Sequence, residues 1–500
     1  MKVKSITALL LAGLILLSSC SNTADTNSAI TTAAPVDTTP EETEAPRIEP
    51  ELPDITFDGK DFRFYQYKNH ETYPRFDEIW VETENGEPIN DAVYRRNSII
   101  QEKYDTKITF STDEYMTFMD NVKKYVRSSE DVYDIILPMG HCVAQMYTSN
   151  VFYNLHNIEY LDFEKPWWDQ NAVESFTLAG YMPFAVSDML VNDKSETAAI
   201  YFNKKLAADY SVGSIYDHVY NNTWTMDKLA ELGKMASEDL NGDSKYDDND
   251  RYGLIAGDEA VTAFLYSAGG RFISKDDEGY PVLSFANEYN YTAIQYYLET
   301  IMYDEQLTKN NSFVANAKSG TKMFEEDQGL FLFGMLGTTQ DLREMTSDFG
   351  IVPVPKYQAS QENYASEAAV FRGSLIAAPI TTQNTEMIGV IIEAMSAESM
   401  YTVKPAFYDT VLKDKATRDA ESVDMLDIII DNMVFDVGNF YNLAWFSDYF
   451  LRITGSVYNS GNKSYPQRTS DIASFYAKYE KQLENALKGL IKTIDKWNEM

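Results

Sequence analysis

The spacing of apolar positions changes period several times along the chain, and each change marks an element. Ile55–Phe57 and Phe62–Tyr65 flank the turn Asp58-Gly59 and predict a first strand region. Ile89, Ala92, Val93, Ile99, Ile100 and Tyr104 then recur at helical spacing. Thr106–Phe110 predicts a strand, Tyr115–Val126 a helix and Tyr133–Pro138 an apolar strand. Strands alternating with helices at this spacing imply right-handed crossovers and a parallel sheet. Ligands of such sheets bind at the loops beyond the strand carboxyl ends, here Gln66–His70 and Met139–Ala144. Met182–Val186 and Ala198–Phe202 read as further strands. Near the carboxyl terminus Ile472, Phe475, Tyr479, Leu483, Leu487, Leu490, Ile494 and Trp497 predict one long amphipathic helix, with Asp471 in its first turn. No solenoid repeat is present.

The amino-terminal pattern is different. Lys2 and Lys4 precede Ile6–Leu17, apolar apart from Thr7 and Gly13, a stretch too short to span a membrane. Leu17-Ser18-Ser19-Cys20 follows and resembles the lipobox of bacterial lipoproteins, in which the cysteine is acylated. Residues 1–20 are therefore expected to be a lipoprotein signal peptide with Cys20 as the lipidated residue. Residues 21–54 are rich in Ser, Thr, Ala, Pro and Glu and cannot bury enough surface to offset their ordering entropy. They predict a disordered tether reaching roughly 30–40 Å.

Five hundred residues exceed what one hydrophobic core holds, so at least two lobes are expected. Basic residues number 42 against 77 acidic, a net charge of −35, which argues against binding nucleic acid or bare anionic membrane. The 44% hydrophobic fraction excludes wholesale disorder. Aromatics make up 13%, with 35 tyrosines, and flat amphipathic rings suit a site that stacks on a sugar. With Cys20 acylated, Cys142 has no intramolecular partner and is expected as a small buried thiol.

Several landmarks in order then resemble one family. They are Tyr133-Asp134-Ile135-Ile136, Pro166-Trp167-Trp168-Asp169-Gln170-Asn171, Tyr201-Phe202-Asn203-Lys204-Lys205-Leu206, Trp224-Thr225-Met226-Asp227-Lys228-Leu229 and Phe371-Arg372-Gly373-Ser374-Leu375. With the lipobox they resemble extracellular solute-binding proteins of the maltose-binding type, which serve ABC importers. The resemblance implies an α/β fold of two lobes joined by hinge strands around a ligand cleft. It places the first lobe at 55–188 plus 374–436 and the second at 189–373 plus 437–500. It further implies capture of an extracellular solute, an oligosaccharide by the aromatic excess, and delivery to ABC permease subunits. The protein is then a monomer on the outer face of the cell membrane, held only by its lipid.

Candidate ligand-binding residues follow from the same resemblance. Tyr67, Asp188, Phe333 and Arg372 fall where that cleft lies, and Tyr441 and Trp445 in the segment that adds aromatic platforms. Trp167 and Trp168 are adjacent, so on an extended stretch they point opposite ways, and one can face the cleft. Core packing is the alternative for Trp167 and Trp168, helix packing for Tyr441 and Trp445, and a hinge salt bridge for Arg372.

Asp239-Leu240-Asn241-Gly242-Asp243-Ser244-Lys245-Tyr246-Asp247-Asp248-Asn249-Asp250 carries its own chemistry. Asp239, Asn241, Asp243, Asp247 and Asp250 occupy loop positions 1, 3, 5, 9 and 12, and Lys245 at position 7 contributes only its carbonyl. This spacing predicts a structural Ca²⁺, although Ser244 replaces the usual Gly and Asp250 the usual Glu; a solvated acidic turn is the alternative. Thr225–Glu238 reads as the preceding helix and Tyr252–Ile255 as a following strand, so the ion would fix a join without switching it.

The four histidines, His70, His141, His156 and His218, form no zinc-protease motif, and no nucleophile elbow or Walker loop occurs. His141 beside Cys142 has the wrong relation for a nucleophile and its base, which converge from distant segments. The expectation is a binding protein and not an enzyme. A secreted glycoside hydrolase using two carboxylates, or a surface carbohydrate-adhesion module, are the competing readings.

Overall fold

The computed structural model describes residues 46–68, 75–311, 318–371, 373–412, 420–455 and 468–498. The signal segment, Cys20, most of the tether, His70 and Arg372 lie outside the described residues. Residues 1–47 form one unit of the chain, and everything from Ile48 onward forms a second.

The first sheet is built as the hydrophobic spacing predicts. Its elements are β1 (Lys60–Tyr67), α1 (Pro88–Tyr104), β2 (Thr106–Asp113), α2 (Tyr115–Arg127), β3 (Ile135–Leu137) and the short α3 (Gly140–Met146). The strand order is β2-β1-β3, all parallel, with Phe64 paired to both Phe110 and Ile135. Pro88 opens α1, where a missing N–H costs nothing, and Asp105 closes it in the left-handed region. Ile99, read as part of the apolar face of α1, is exposed. Met182–Val186 forms no strand; Ala185 makes only an isolated bridge to Ile376. That bridge belongs to a strip, Ser374–Pro379, whose residues also bridge Met139, Ile136 and Phe152 and so extend the first sheet antiparallel.

The second sheet comprises β4 (Ala198–Asn203), β5 (Tyr252–Ala256), β6 (Thr308–Asn310), β7 (Gly329–Met335) and β8 (Phe349–Val352), in the order β8-β4-β7-β5-β6. β4 runs antiparallel to both neighbours, while β5 is parallel to β6 and β7. The Tyr-Phe-Asn-Lys landmark has a physical cause here. β4 is buried throughout, and Asn203 at its end caps the helix Lys204–Asp209 by accepting the Leu206 N–H at 2.9 Å. The helix α4 (Met226–Ala236), capped by Thr225, precedes the acidic loop, and α5 (Ala260–Ser267) follows β5.

The chain returns through β9 (Ser366–Glu367), α6 (Thr385–Tyr401), α7 (Ala420–Asp431), β10 (Met433–Val434), α8 (Val437–Tyr441), α9 (Ile472–Ala477) and α10 (Glu480–Asn498). Two stretches of the returning chain make long-range contacts. Within 374–436, α6 packs on α1, but α7 packs on β8 of the second sheet, where Tyr220 Oη donates to Asp424 at 2.8 Å. Within 437–500, α8 packs on α3, and Trp497 of α10 stacks on Tyr181 with centroids 4.0 Å apart. The expected single C-terminal helix is two, interrupted at Lys478 and Tyr479, and Asp471 caps the first by accepting the Ser474 N–H. Among the described residues no helix is long and apolar enough to cross a membrane.

Candidate functional site

In the order β2-β1-β3 the chain leaves β1 in one direction for β2 and lies on the other side at β3. The crevice of such a sheet opens between the carboxyl ends of β1 and β3. Gln66 and Tyr67 end β1, and Met139-Gly140-His141 follow β3. Ser374 joins the two sides: it is bridged to Met139, its hydroxyl accepts from Gln66 Nε2 at 2.7 Å, and Arg75 reaches it at 3.3 Å.

Beside this crevice stands a group of rings. His141 stacks on Phe371 at 5.0 Å between centroids and meets Trp445 at 6.3 Å and Tyr115 at 6.1 Å. Phe371 is 41% exposed and Trp445 45%, which for side chains of this size means open faces. The backbone that presents Trp445 is unusual. Asn442, Ala444 and Trp445 all have positive φ, at 42°, 54° and 60°, a region that costs non-glycine residues on the order of 1 kcal/mol or more each. Asn442 helps hold the bend, since its Oδ1 accepts from both the N–H and the hydroxyl of Ser447. Gly140 permits the close packing behind it: a Cβ there would lie 2.7 Å from Phe440 and 2.9 Å from Val370. Burial holds the His141 imidazole below its ordinary value against the opposing pull of Asp448, so the ring is neutral at neutral pH. An open indole and an open phenyl ring beside the imidazole make a surface for stacking.

Of the described residues singled out by sequence, Trp445 alone presents a large open face here. Trp167 and Trp168 are 0% and 2% exposed, and both indoles donate to Glu393 on α6, at 3.1 and 3.0 Å. Neither faces the crevice: the segment turns instead of running extended, so a single carboxylate collects both N–H groups. Tyr441 is buried against Tyr147, and Phe333 is buried in β7 where it pairs with Ile200. Asp188 is buried in an ion cluster, 3.9 Å from Lys194 and 3.5 Å from Lys404, and those cations oppose the upward push of burial on its carboxyl. It anchors the crossing between the sheets and is not an open ligand group. Tyr67 is buried beneath Arg75, whose guanidinium lies 4.1 Å from its ring centre. Phe371, Tyr115 and the packing role of His141 were missed, although the Phe371–Leu375 landmark and the Met139–Ala144 loop pointed at the neighbourhood. Cys142 is wholly buried, and burial pushes its thiol up to about 12, which makes it unreactive.

The acidic loop joins α4 to β5 as helix, loop and strand. Asp239, Asn241, Asp243, Asp247 and Asp250 all turn side-chain oxygens onto backbone N–H groups of the loop, at 2.7 to 3.0 Å. Ser244 takes the positive φ of 65° that its position needs without a glycine. Among the described residues no three His, Cys, Asp or Glu side chains are gathered as metal ligands. Each carboxylate has about four lone-pair sites, so accepting one or two N–H groups leaves room for a cation.

No protein-family model and no curated protein sequence matches the chain. Solved structures do match in shape. The cyclic alpha-maltosyl-1,6-maltose binding protein of Arthrobacter globiformis has a TM-score of 0.54 at 14% identity, over 86% of this chain and 99% of that one. The fold is that of the maltose-binding type. The GacH receptor of Streptomyces glaucescens, solved unliganded and with acarbose, gives 0.53 at 12% identity over 85% and 99%. A sugar transporter protein of Rhizobium etli in an open conformation gives 0.54 at 12% identity over 86% and 98%.

Proposed function

We propose that the protein captures an extracellular saccharide, an oligosaccharide, and delivers it to the permease subunits of an ABC importer. The observation that carries this reading is Trp445, an open indole on a strained backbone beside Phe371 and His141 at the crevice of a sugar-receptor fold. Strain at non-glycine residues persists where the surroundings over-determine it, and such places cluster at ligand clamps. A glycoside hydrolase would instead be organised around two carboxylates flanking the scissile bond. Calorimetric titration with linear malto-oligosaccharides tests the reading. Trp445→Ala should weaken binding by about 10- to 100-fold, the scale of a buried aromatic contact. Equal affinity of wild type and variant for every sugar bound refutes the platform, and release of reducing ends refutes simple capture.

Two further parts belong to this reading. Cys20 carries the lipid that holds the monomer on the outer face of the membrane, and intact mass of protein from its native membrane should include the acyl groups. Ca²⁺ at Asp239, Asn241, Asp243, Lys245, Asp247 and Asp250 acts as a structural ion, supported by ligand spacing and by the helix–loop–strand join.

A further inference from the structure

The ring group around Trp445 contains an imidazole, the side chain whose charge changes between neutral and mildly acidic water. Main-chain contacts fix His141 beside Phe371: its N–H donates to the Val370 carbonyl at 3.0 Å, and Met139 is bridged to Ser374. The His141 ring lies at 29° to the Phe371 ring with centroids 5.0 Å apart, and Tyr115 and Trp445 approach at 6.1 and 6.3 Å. Three aromatic rings thus crowd a group that needs water or an anion when it is charged. The elements packed on α3 bring further titratable groups. α2 brings Tyr115 and Lys123, α8 brings Tyr441, and the turn Tyr147–Ser149 brings Tyr147. Burial pushes all three phenols upward, so they stay neutral in acid. Lys123 and Arg75 act on the neighbouring Cys142. Asp448, on the helix Phe446–Leu451, pulls the imidazole upward, and burial outweighs it.

We propose that capture at this platform is proton-linked: the ligand stacks while the His141 imidazole is neutral, and protonation of His141 in acid drives the ligand off. A molecule stacked on the open faces of Phe371 and Trp445 shields the imidazole that neighbours both, and removes water that a charged ring would need. Shielding disfavours the imidazolium further, so the complex holds the proton less tightly than the free protein does. Binding then expels a proton wherever free His141 carries one. Affinity is constant while free His141 is neutral and falls as pH drops through its titration, by up to about tenfold per pH unit. Attraction of the imidazolium to the ring faces and to Asp448 exists without ligand as well, and only the difference between the two states moves the affinity. The inference rests on the saccharide reading of Trp445 and adds regulation to it: capture near neutral pH and release in acid.

The test uses the full chain and maltoheptaose, titrated calorimetrically near pH 7.5 and pH 4.5. Wild type should bind about threefold or more weakly at the lower pH. His141→Gln, which cannot take up the proton, should bind with one affinity at both. Proton NMR reads the same group directly. The chain has four histidines, so the His141 ring resonance is the one absent from the variant. Its midpoint should lie below the ordinary 6.5 in the free protein and move lower with saturating sugar. Asp448→Asn removes the upward pull, so it should lower the same midpoint in the free protein and identify the resonance a second time. If wild-type affinity is equal at the two pH values, if the loss persists in His141→Gln, or if sugar leaves the midpoint in place, the proton link is overturned and the saccharide reading stands. If wild type binds no sugar near pH 7.5, both inferences fall.

Discussion

Replacing Glu393 by Gln tests why the adjacent tryptophans are buried. Glu393 is 1% exposed, and its carboxylate accepts the indole N–H of Trp167 and of Trp168 and the backbone N–H of Asp162. Burial pushes its carboxyl from 4.5 up to about 7, against the pull of those three donors. A folded-state value above the unfolded one means that the native protein holds the proton more tightly. That contribution is complete below about pH 4.5 and is lost as pH rises through 7. A shift of this size corresponds to about 3 kcal/mol. Gln cannot titrate. Its carbonyl can serve one indole, but its NH₂ group confronts the other, a fixed cost of about 1–3 kcal/mol for a donor left unpaired. Near pH 4.5 wild type should therefore be the more stable by up to that cost, because the hydroxyl oxygen of the protonated acid still accepts and an NH₂ group does not. Near pH 8 the margin should vanish or reverse, because the ionised carboxylate has by then lost its advantage. Glu367, Asp193 and Asp436, buried acids pushed up to about 8, 7 and 6, lower the stability of both proteins with rising pH, so only the difference reports on Glu393. Urea unfolding followed by tryptophan fluorescence at the two pH values measures it. A margin independent of pH, or one that widens as pH rises, refutes the reasoning and shows that the three donors hold the carboxylate ionised.

Other perturbations have clear signs. Gly253→Ala sets a Cβ 2.6 Å from the backbone of Gly233, where α4 crosses β5, and should cost about 1–3 kcal/mol by thermal unfolding. Gly489→Ala, an open position inside α10, should instead stabilise by about 0.5–1 kcal/mol, so equal melting temperatures for the two variants would contradict the packing. Trp497→Ala removes a buried ring stacked on Tyr181 and should cost about 3–5 kcal/mol; a loss under 1 kcal/mol would mean that α10 is not docked as described. Ca²⁺ should raise the melting temperature more than Mg²⁺ does, and Asp243→Ala should abolish the difference; identical curves with chelator and with Ca²⁺ leave only a solvated turn.

Much of the fold was legible because it rests on local periodicity. β1 to β3 and the helices between them follow from apolar spacing, and β4 with its Asn203 cap from a short motif whose parts have separate physical roles. What was not legible depends on partners far away in sequence. Glu393 lies 225 residues from Trp168, and nothing near the Trp-Trp pair says that one carboxylate will take both indoles. Asp188 similarly reads as a polar residue near a crossing until Lys194 and Lys404 are seen to enclose it. The split of α9 from α10 was hidden for the opposite reason. The apolar stripe continues in register across Lys478 and Tyr479, so periodicity alone cannot show the break.

The ring group around Trp445 combines both difficulties. Sequence singled out three of the six tryptophans, Trp445 by its segment and Trp167 and Trp168 by adjacency. Burial is set by which backbone carries a ring. Trp167 and Trp168 sit on a turn that closes against α6, where two indole N–H groups and an acid satisfy one another. Trp445 follows two residues also held at positive φ, with no proline or glycine in Asn442-Leu443-Ala444-Trp445 to advertise a bend. A regular helix through 442–445 would carry Trp445 at the ordinary helical spacing from Tyr441, which is buried. The bend breaks that periodicity and leaves the indole open beside Phe371 and His141. The local cost of the left-handed residues and the open hydrophobic face are two expressions of one arrangement, and a ligand that stacks there would cover the face while keeping the bend.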